Sequence, residues 1–257
     1  GAQLYDARVR GELGLGRWPN VVTSIQFERI LSASGPSKGV VQRPSDAKHP
    51  VKVAWIQCVG SRDRTCEKDY CSSVCCMYAI KEAMIAKAHI EGELDTVIFN
   101  MDIRTFGKDY EKYYLRAKDQ DGVRFEKARI HTIDEIKETG NLRLRYVDET
   151  GNLKNEEFDM VVLSVGLQVP ASTIETAKRL NIDLNHYNFA ATHPFTPVNT
   201  SRPGVFACGI FQGPKDIPSS ITEASAAACA AGRQLADARG KLIRTVERPA
   251  EIKVEGE

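Results

Sequence analysis

Val51-Lys52-Val53-Ala54-Trp55-Ile56-Gln57-Cys58-Val59-Gly60-Ser61-Arg62-Asp63, and then Tyr70-Cys71-Ser72-Ser73-Val74-Cys75-Cys76-Met77-Tyr78-Ala79-Ile80-Lys81-Glu82-Ala83, is the stretch on which the fold turns. Residues 51–56 alternate or run apolar, as a buried strand does, and Ile80, Met84 and Ile85 recur at helical spacing in a segment from about Val74 to His89. Thr96-Val97-Ile98-Phe99 is a second buried strand. Strand, cysteine-rich loop, helix and strand together predict a βαβ unit whose first turn has been enlarged by the cysteines, and hence a parallel sheet in an α/β fold.

Upstream, a Gly-rich turn (Gly11, Gly14, Gly16) leads to Thr23 and Gln26 at capping-box spacing. Ile25, Ile30 and Leu31 suit one helical face before Gly35-Pro36, so a short helix is expected over 24–33, followed by a Pro-rich connector to Pro50. Downstream, Tyr110 to Lys118 reads as a helix, and Asn141–Tyr146 and Lys154–Phe158 flank Gly151-Asn152 like an antiparallel hairpin. Met160–Val165 reads as a further buried strand. A helix near 171–180, a short strand over Gly204–Gly209 and a long Ala-rich helix over about 219–238, capped by Ser219 or Ser220, complete the pattern. The charged tail after Gly240 is expected to be loosely held.

The composition narrows the function classes. A chain of 257 residues with 42% hydrophobic content can bury a sizeable core. Thirty-five basic against 34 acidic residues leave a formal charge of +1, which disfavours nucleic acid or an anionic membrane as partner. No apolar run approaches the length that crosses a bilayer and no secretory signal opens the chain, so a cytoplasmic setting is expected. The abrupt start at Gly1-Ala2-Gln3, without an initiator methionine, reads as an internal piece of a longer protein.

Seven cysteines fit poorly with a fully paired disulfide framework, and five of them fall between Cys58 and Cys76. Twelve residues separate Cys58 from Cys71, three separate Cys71 from Cys75, and Cys76 is adjacent. The first strand ends at Cys58 and the helix begins at Cys75-Cys76, so loop closure gathers these thiols at the sheet edge where α/β proteins place ligands. The helix N-terminus there favours thiolates and a negatively charged group. Zinc prefers pairs two to four residues apart, and adjacent ligands crowd a tetrahedral ion. An iron-sulfur cubane spreads its ligand sites over separate irons and accommodates an adjacent Cys-Cys, which makes it the preferred reading. A redox-active Cys71/Cys75 dithiol and a set of ordinary packed thiols remain as alternatives.

In a dinucleotide fold the same turn carries phosphate-binding glycines. Only Gly60 is present here, so a nicotinamide dinucleotide is not expected at this turn. Asp102 stands where a ribose-binding acid would, although a solvated strand-end carboxylate is the plainer reading.

The two cysteine segments, with Phe99-Asn100-Met101-Asp102-Ile103-Arg104-Thr105-Phe106-Gly107, Val162-Leu163-Ser164-Val165-Gly166-Leu167 and Gly213-Pro214-Lys215-Asp216-Ile217-Pro218, closely resemble the A-type subunit of heterodisulfide reductase and its relatives over most of residues 18–238. The resemblance implies a thioredoxin-reductase-like flavoprotein core, an FAD domain interrupted by a nicotinamide-domain-like insert. It implies a [4Fe-4S] cluster on Cys58, Cys71, Cys75 and Cys76, with Cys66 outside the ligand set. Expected units are then residues 1–50 (part of the split FAD domain and a connector), 51–165 (the insert), 166–240 (the rest of the FAD domain) and 241–257 (a tail).

By the same resemblance Gly1 ends an FAD-domain strand, while the glycine-rich segment for the ADP half of FAD is missing, so the chain alone is expected to bind FAD weakly or not at all. The remaining flavin site is assigned to Gly1, Gly166, Gly209, Lys215, Asp216, Ile217, Ser219 and Ser220. The start of the Ala-rich helix would direct N–H groups at the flavin pyrimidine edge and Lys215 would add charge. Ile210 occupies the place where related flavoproteins carry an Asp, and a simple helix cap with a surface lysine is the alternative.

Cys208 and Cys229 read as packing residues, the five histidines are scattered without metal-ligand spacing, and no nucleophile elbow occurs. The expected function is electron transfer between FAD and [4Fe-4S] clusters in a heterodisulfide-reductase-like complex, with flavin-based bifurcation in the whole assembly. Expected partners are the complex's other subunits and iron-sulfur electron carriers, a homodimer being one arrangement. The alternatives are a scaffold or docking module without cofactor, and a dithiol reductase.

Overall fold

The fold is that of a computed structural model describing residues 1–238 and residue 240; the expected loose tail lies outside the described residues. In chain order the elements are β1 (Gln3–Leu4), β2 (Val21–Thr23), α1 (Ser24–Leu31), β3 (Lys52–Val59), α2 (Cys75–His89), β4 (Asp95–Asn100), α3 (Tyr110–Asp119) and β5 (Arg124–Lys127). There follow β6 (Ile133–Ile136), β7 (Asn141–Val147), β8 (Leu153–Phe158), β9 (Met160–Val165), β10 (Leu167–Gln168), α4 (Ala171–Arg179) and α5 (Ile217–Gln234).

A five-stranded sheet of order β2-β9-β3-β4-β5 forms the centre, and every neighbouring pair in it is parallel. The β3–α2–β4 crossover is the expected βαβ unit. Because side chains alternate across a strand, the sheet divides the core in two. Ala54, Ile56, Val97, Phe99, Val161 and Leu163 face one side, where the antiparallel β6-β7-β8 sheet brings Leu142, Leu144 and Phe158 against them. Val53, Trp55, Ile98 and Val162 face the other side and pack under Phe27 of α1 and Ala79, Ile80 and Ala83 of α2. The expected hairpin is β7–β8; β6, a third strand on its edge, escaped the sequence because Ile133-Asp134-Glu135-Ile136 buries only one residue fully. β2, from the 1–50 segment expected to hold part of the split FAD domain and a connector, is an edge strand of the same sheet.

The capping box at Thr23/Gln26 is present and α1 ends at Leu31. Three expectations fail. Residues 204–209 form no strand: their ladder consists of a single Asn199–Phe206 bridge, and an extended segment without a neighbouring strand to accept its hydrogen bonds is not a strand. The long helix starts at Ile217, two to three residues early. Its cap is Asp216, whose carboxylate accepts the Ser219 amide at 2.9 Å, and Pro218 fits the first turn, where no N–H is needed. Along α5 no residue is buried, so Cys229 is exposed rather than a packing residue.

Candidate functional site

The cysteine loop leaves the sheet at an irregularity. Between Ile56 and Val59, β3 advances three residues while β9 advances from Leu163 to Val165, so β3 carries one extra residue. Such a bulge re-aims a side chain. The residue it re-aims is Cys58, held at φ 60°, in the left-handed region that non-glycine residues seldom occupy. Arg62 and Ser73 also have positive φ, at 54° and 65°.

Two serines close the loop. Ser61 Oγ donates to Tyr70 O at 3.0 Å and accepts the Ser72 amide at 3.0 Å, while Ser72 Oγ accepts the Leu167 amide at 2.9 Å. Gly166 is what permits this approach. A β-carbon there would lie 2.8 Å from Gly60 O, Ser61 Cβ and Ser72 Oγ. The ends of β3 and β9 and the start of α2 thus meet at one point.

Cys58, Cys71, Cys75 and Cys76 lie around that point, near enough for their charges to act on one another. Burial pushes the Cys58 thiol upward, the Cys75 thiol up to about 12 and the Cys76 thiol up to about 11; Cys71 adds to all three rises and Cys58 to those of Cys75 and Cys76. Cys66 stands apart from the set. Its charged neighbours are Asp63, Lys68 and Arg10, and its thiol donates to Asp63 O at 3.4 Å. All seven cysteines are free, and among the described residues no three His, Cys, Asp or Glu side chains are close enough to hold a single metal ion.

The environment suits a larger anionic group. The Ser73 amide donates to Cys71 Sγ at 3.3 Å. Helix α2 has Val74 at its N-cap with no side-chain cap, whereas α1 and α5 are capped, so the first-turn N–H groups around Cys75 and Cys76 lack a side-chain acceptor. Four cysteine sulfurs, which would ligate as thiolates, and uncapped amides form a donor set whose chemistry fits a [4Fe-4S] cluster.

The expected flavin residues divide into two groups. Gly209, Lys215, Asp216, Ile217, Ser219 and Ser220 come together at the start of α5, and Ser220 Oγ donates to Asp216 O at 2.8 Å. Gly1 and Gly166 belong instead to the antiparallel β1–β10 ribbon and its approach. The organising residue of the first group is Glu223, which the sequence reading missed: one carboxylate oxygen accepts the Gly209 amide at 2.8 Å and the other pairs with Lys215 Nζ. The only sequence signal was an acid two turns into the helix on the side of its cap. A cavity of about 250 Å³ separates Lys215, Asp216 and Ser219 from Ser73 of the cysteine loop and from Phe106. A second, of about 580 Å³, continues past Ile217 to Tyr78, Tyr110 and Tyr113.

The comparisons with known proteins agree with this architecture. The model of the pyridine nucleotide-disulphide oxidoreductase family matches residues 75–228. The chain belongs to that family. Among solved structures it is similar to thioredoxin reductase of Lactococcus lactis (TM-score 0.56, 17% identity, 92% of this chain and 64% of that one) and of T. acidophilum (TM-score 0.53, 16% identity, 93% and 64%), likenesses that establish the fold. The resemblance read from the cysteine segments also holds. The chain is 43% identical to the A-type iron-sulfur subunit of the CoB–CoM heterodisulfide reductase of Methanocaldococcus jannaschii, over 96% of this chain and 38% of that protein. It is 46% identical to the second of the corresponding A-type subunits of Methanopyrus kandleri, over 92% and 36%. With the A-type subunit of the H(2)/formate:CoB-CoM heterodisulfide,ferredoxin reductase of Methanococcus maripaludis the identity is 42%, over 94% and 37%. The chain therefore spans little more than a third of these relatives' length. Among the described residues no helix is long and apolar enough to cross a membrane.

Proposed function

We infer that this chain is the electron-transferring core of a flavoprotein like the A-type subunit of heterodisulfide reductase, with Cys58, Cys71, Cys75 and Cys76 holding a [4Fe-4S] cluster beside an FAD whose pyrimidine edge meets the start of α5. The observation that carries the reading is the gathering of those four thiols at an uncapped helix start while Cys66 stays outside the set. When bound, the cluster supplies one-electron exchange and the flavin two-electron exchange.

The protein's share is to hold and shield. The bulge on β3 and the left-handed φ of Cys58 set the direction of one thiol at the sheet edge, and the α2 amides and the Ser73 N–H would offset the negative charge of a cluster held by four thiolates. Cys75 and Cys76 are buried, which excludes water from that side of the site. Lys215, fixed by Glu223, offers a positive charge at the flavin side, about one cavity's width from the cysteine loop. Flavin-based bifurcation, a cytoplasmic setting, association with the other subunits of such a complex and with iron-sulfur carriers, and a homodimer are parts of the same reading.

The test is serine substitution under anaerobic reconstitution, with the brown iron-sulfur absorbance as readout. C58S, C71S, C75S and C76S each lose it, and C66S keeps it. A chain that stays colourless and metal-free points to the scaffold reading, whereas disulfide-reducing activity that survives C58S and dies with C71S points to the dithiol.

A further inference from the structure

Asp102, the acid at the end of β4 that stands where a ribose ligand would be expected, is already engaged. Its carboxylate accepts Arg62 Nη1 and Nη2 at 2.5 and 3.1 Å and Arg104 Nε at 3.3 Å. The two-point contact fixes the plane of the Arg62 guanidinium. The other end of Arg62 is fixed as well, since its amide donates to Tyr70 O at 2.8 Å and its backbone is held at φ 54°. The side chain is 20% exposed, far less than a free surface arginine.

Arg62 and its partner Asp102 thereby stand beside the cysteine set. On one side the turn that carries Arg62 folds back on Cys58, the Ser61 amide donating to Cys58 O at 3.3 Å, so that the Arg62 charge acts on the Cys58 thiol. On the other, the Asp102 carbonyl oxygen faces Cys76 Sγ at 4.0 Å. Arg64, two residues on, points away: it is exposed and its charge acts on Asp69 and Tyr187.

We propose that Arg62, locked by Asp102, is a positioning residue that sets the reduction potential of the group held by the four cysteines. The inference rests on the cluster reading above. Uptake of one electron from an external reductant adds one negative charge and breaks no bond, so a fixed cation at the rim stabilises the reduced state relative to the oxidised one. At an effective dielectric of about 20, a unit charge on the order of 12 Å from the added electron changes the reduced-to-oxidised ratio by about tenfold, or ~59 mV for one electron.

The experiment is an anaerobic redox titration of the reconstituted chain, with dithionite as reductant and the paramagnetic signal of the reduced state as readout, after iron and sulfide have been counted. R62Q is compared with wild type, R62K and R64Q. The expected result is equal iron in all four, a reduced fraction about tenfold lower for R62Q at fixed potential, and R62K and R64Q within about threefold of wild type. The proposal is overturned if R62Q titrates like wild type, if R64Q or R62K shifts as far as R62Q, or if R62Q alone fails to hold iron, which would make Arg62 an assembly residue. Absence of iron from the wild type would instead overturn the cluster reading beneath it.

Discussion

The Ser72 hydroxyl stands 2.8 Å from the place where a β-carbon on Gly166 would lie, and it is the same hydroxyl that accepts the Leu167 amide. One missing methyl group thus lets the cysteine loop seat on the end of β9.

Gly166→Ala is expected to destabilise the chain by about 2–3 kcal/mol, since two of the three obstructing atoms are backbone or a packed β-carbon and cannot swing aside. Gly213→Ala, where nothing lies within 4 Å, is expected to stay within about 0.5 kcal/mol. Urea unfolding of both variants checks the pair.

Glu82 is buried on α2 with its carboxyl hydrogen-bonded to Trp55 Nε1 at 2.9 Å, and burial pushes its pKa up to about 8. The folded state keeps this proton where the unfolded chain has lost it, so the contribution is full below the usual Glu value and declines as pH rises toward 8. Wild type is expected to lose a few kcal/mol relative to Glu82→Gln between pH 5 and pH 8. Parallel stability curves for the two chains would refute this.

Asp63 inside the cysteine loop has the opposite sign. Although burial works against its charge, Thr65, Arg10 and Arg129 hold its carboxyl down to about 2, with the arginine contacts at 2.9 and 2.7 Å. Its stabilisation is present above the ordinary Asp value and is lost as pH falls toward 2. Asp63→Asn is expected to cost about 2–3 kcal/mol at neutral pH, with the difference from wild type shrinking in acid. Denaturant midpoints at pH 7 and pH 3 read it out.

The sheet was legible because Val53–Ile56, Val97–Phe99 and Met160–Leu163 are buried on both faces and therefore run apolar without interruption. The same logic overreached at residues 204–209, where the apolar run lacks the neighbouring strand that would make it one. The strand, loop and helix that carry the cysteines were legible from spacing and pattern. What fixes their surroundings was not. The extra residue on β3, the Ser61–Ser72 closure, the Arg62–Asp102 pair and the Glu223 link to Gly209 and Lys215 join residues 8 to 40 positions apart, or depend on φ values that residue type does not announce.

Everything functional in this reading depends on an inorganic core bridging positions 58, 71, 75 and 76. The most direct measurement is the iron and acid-labile sulfide content of chain isolated and reconstituted without oxygen. About four of each per chain is the expected result; a correctly folded chain that takes up neither contradicts it.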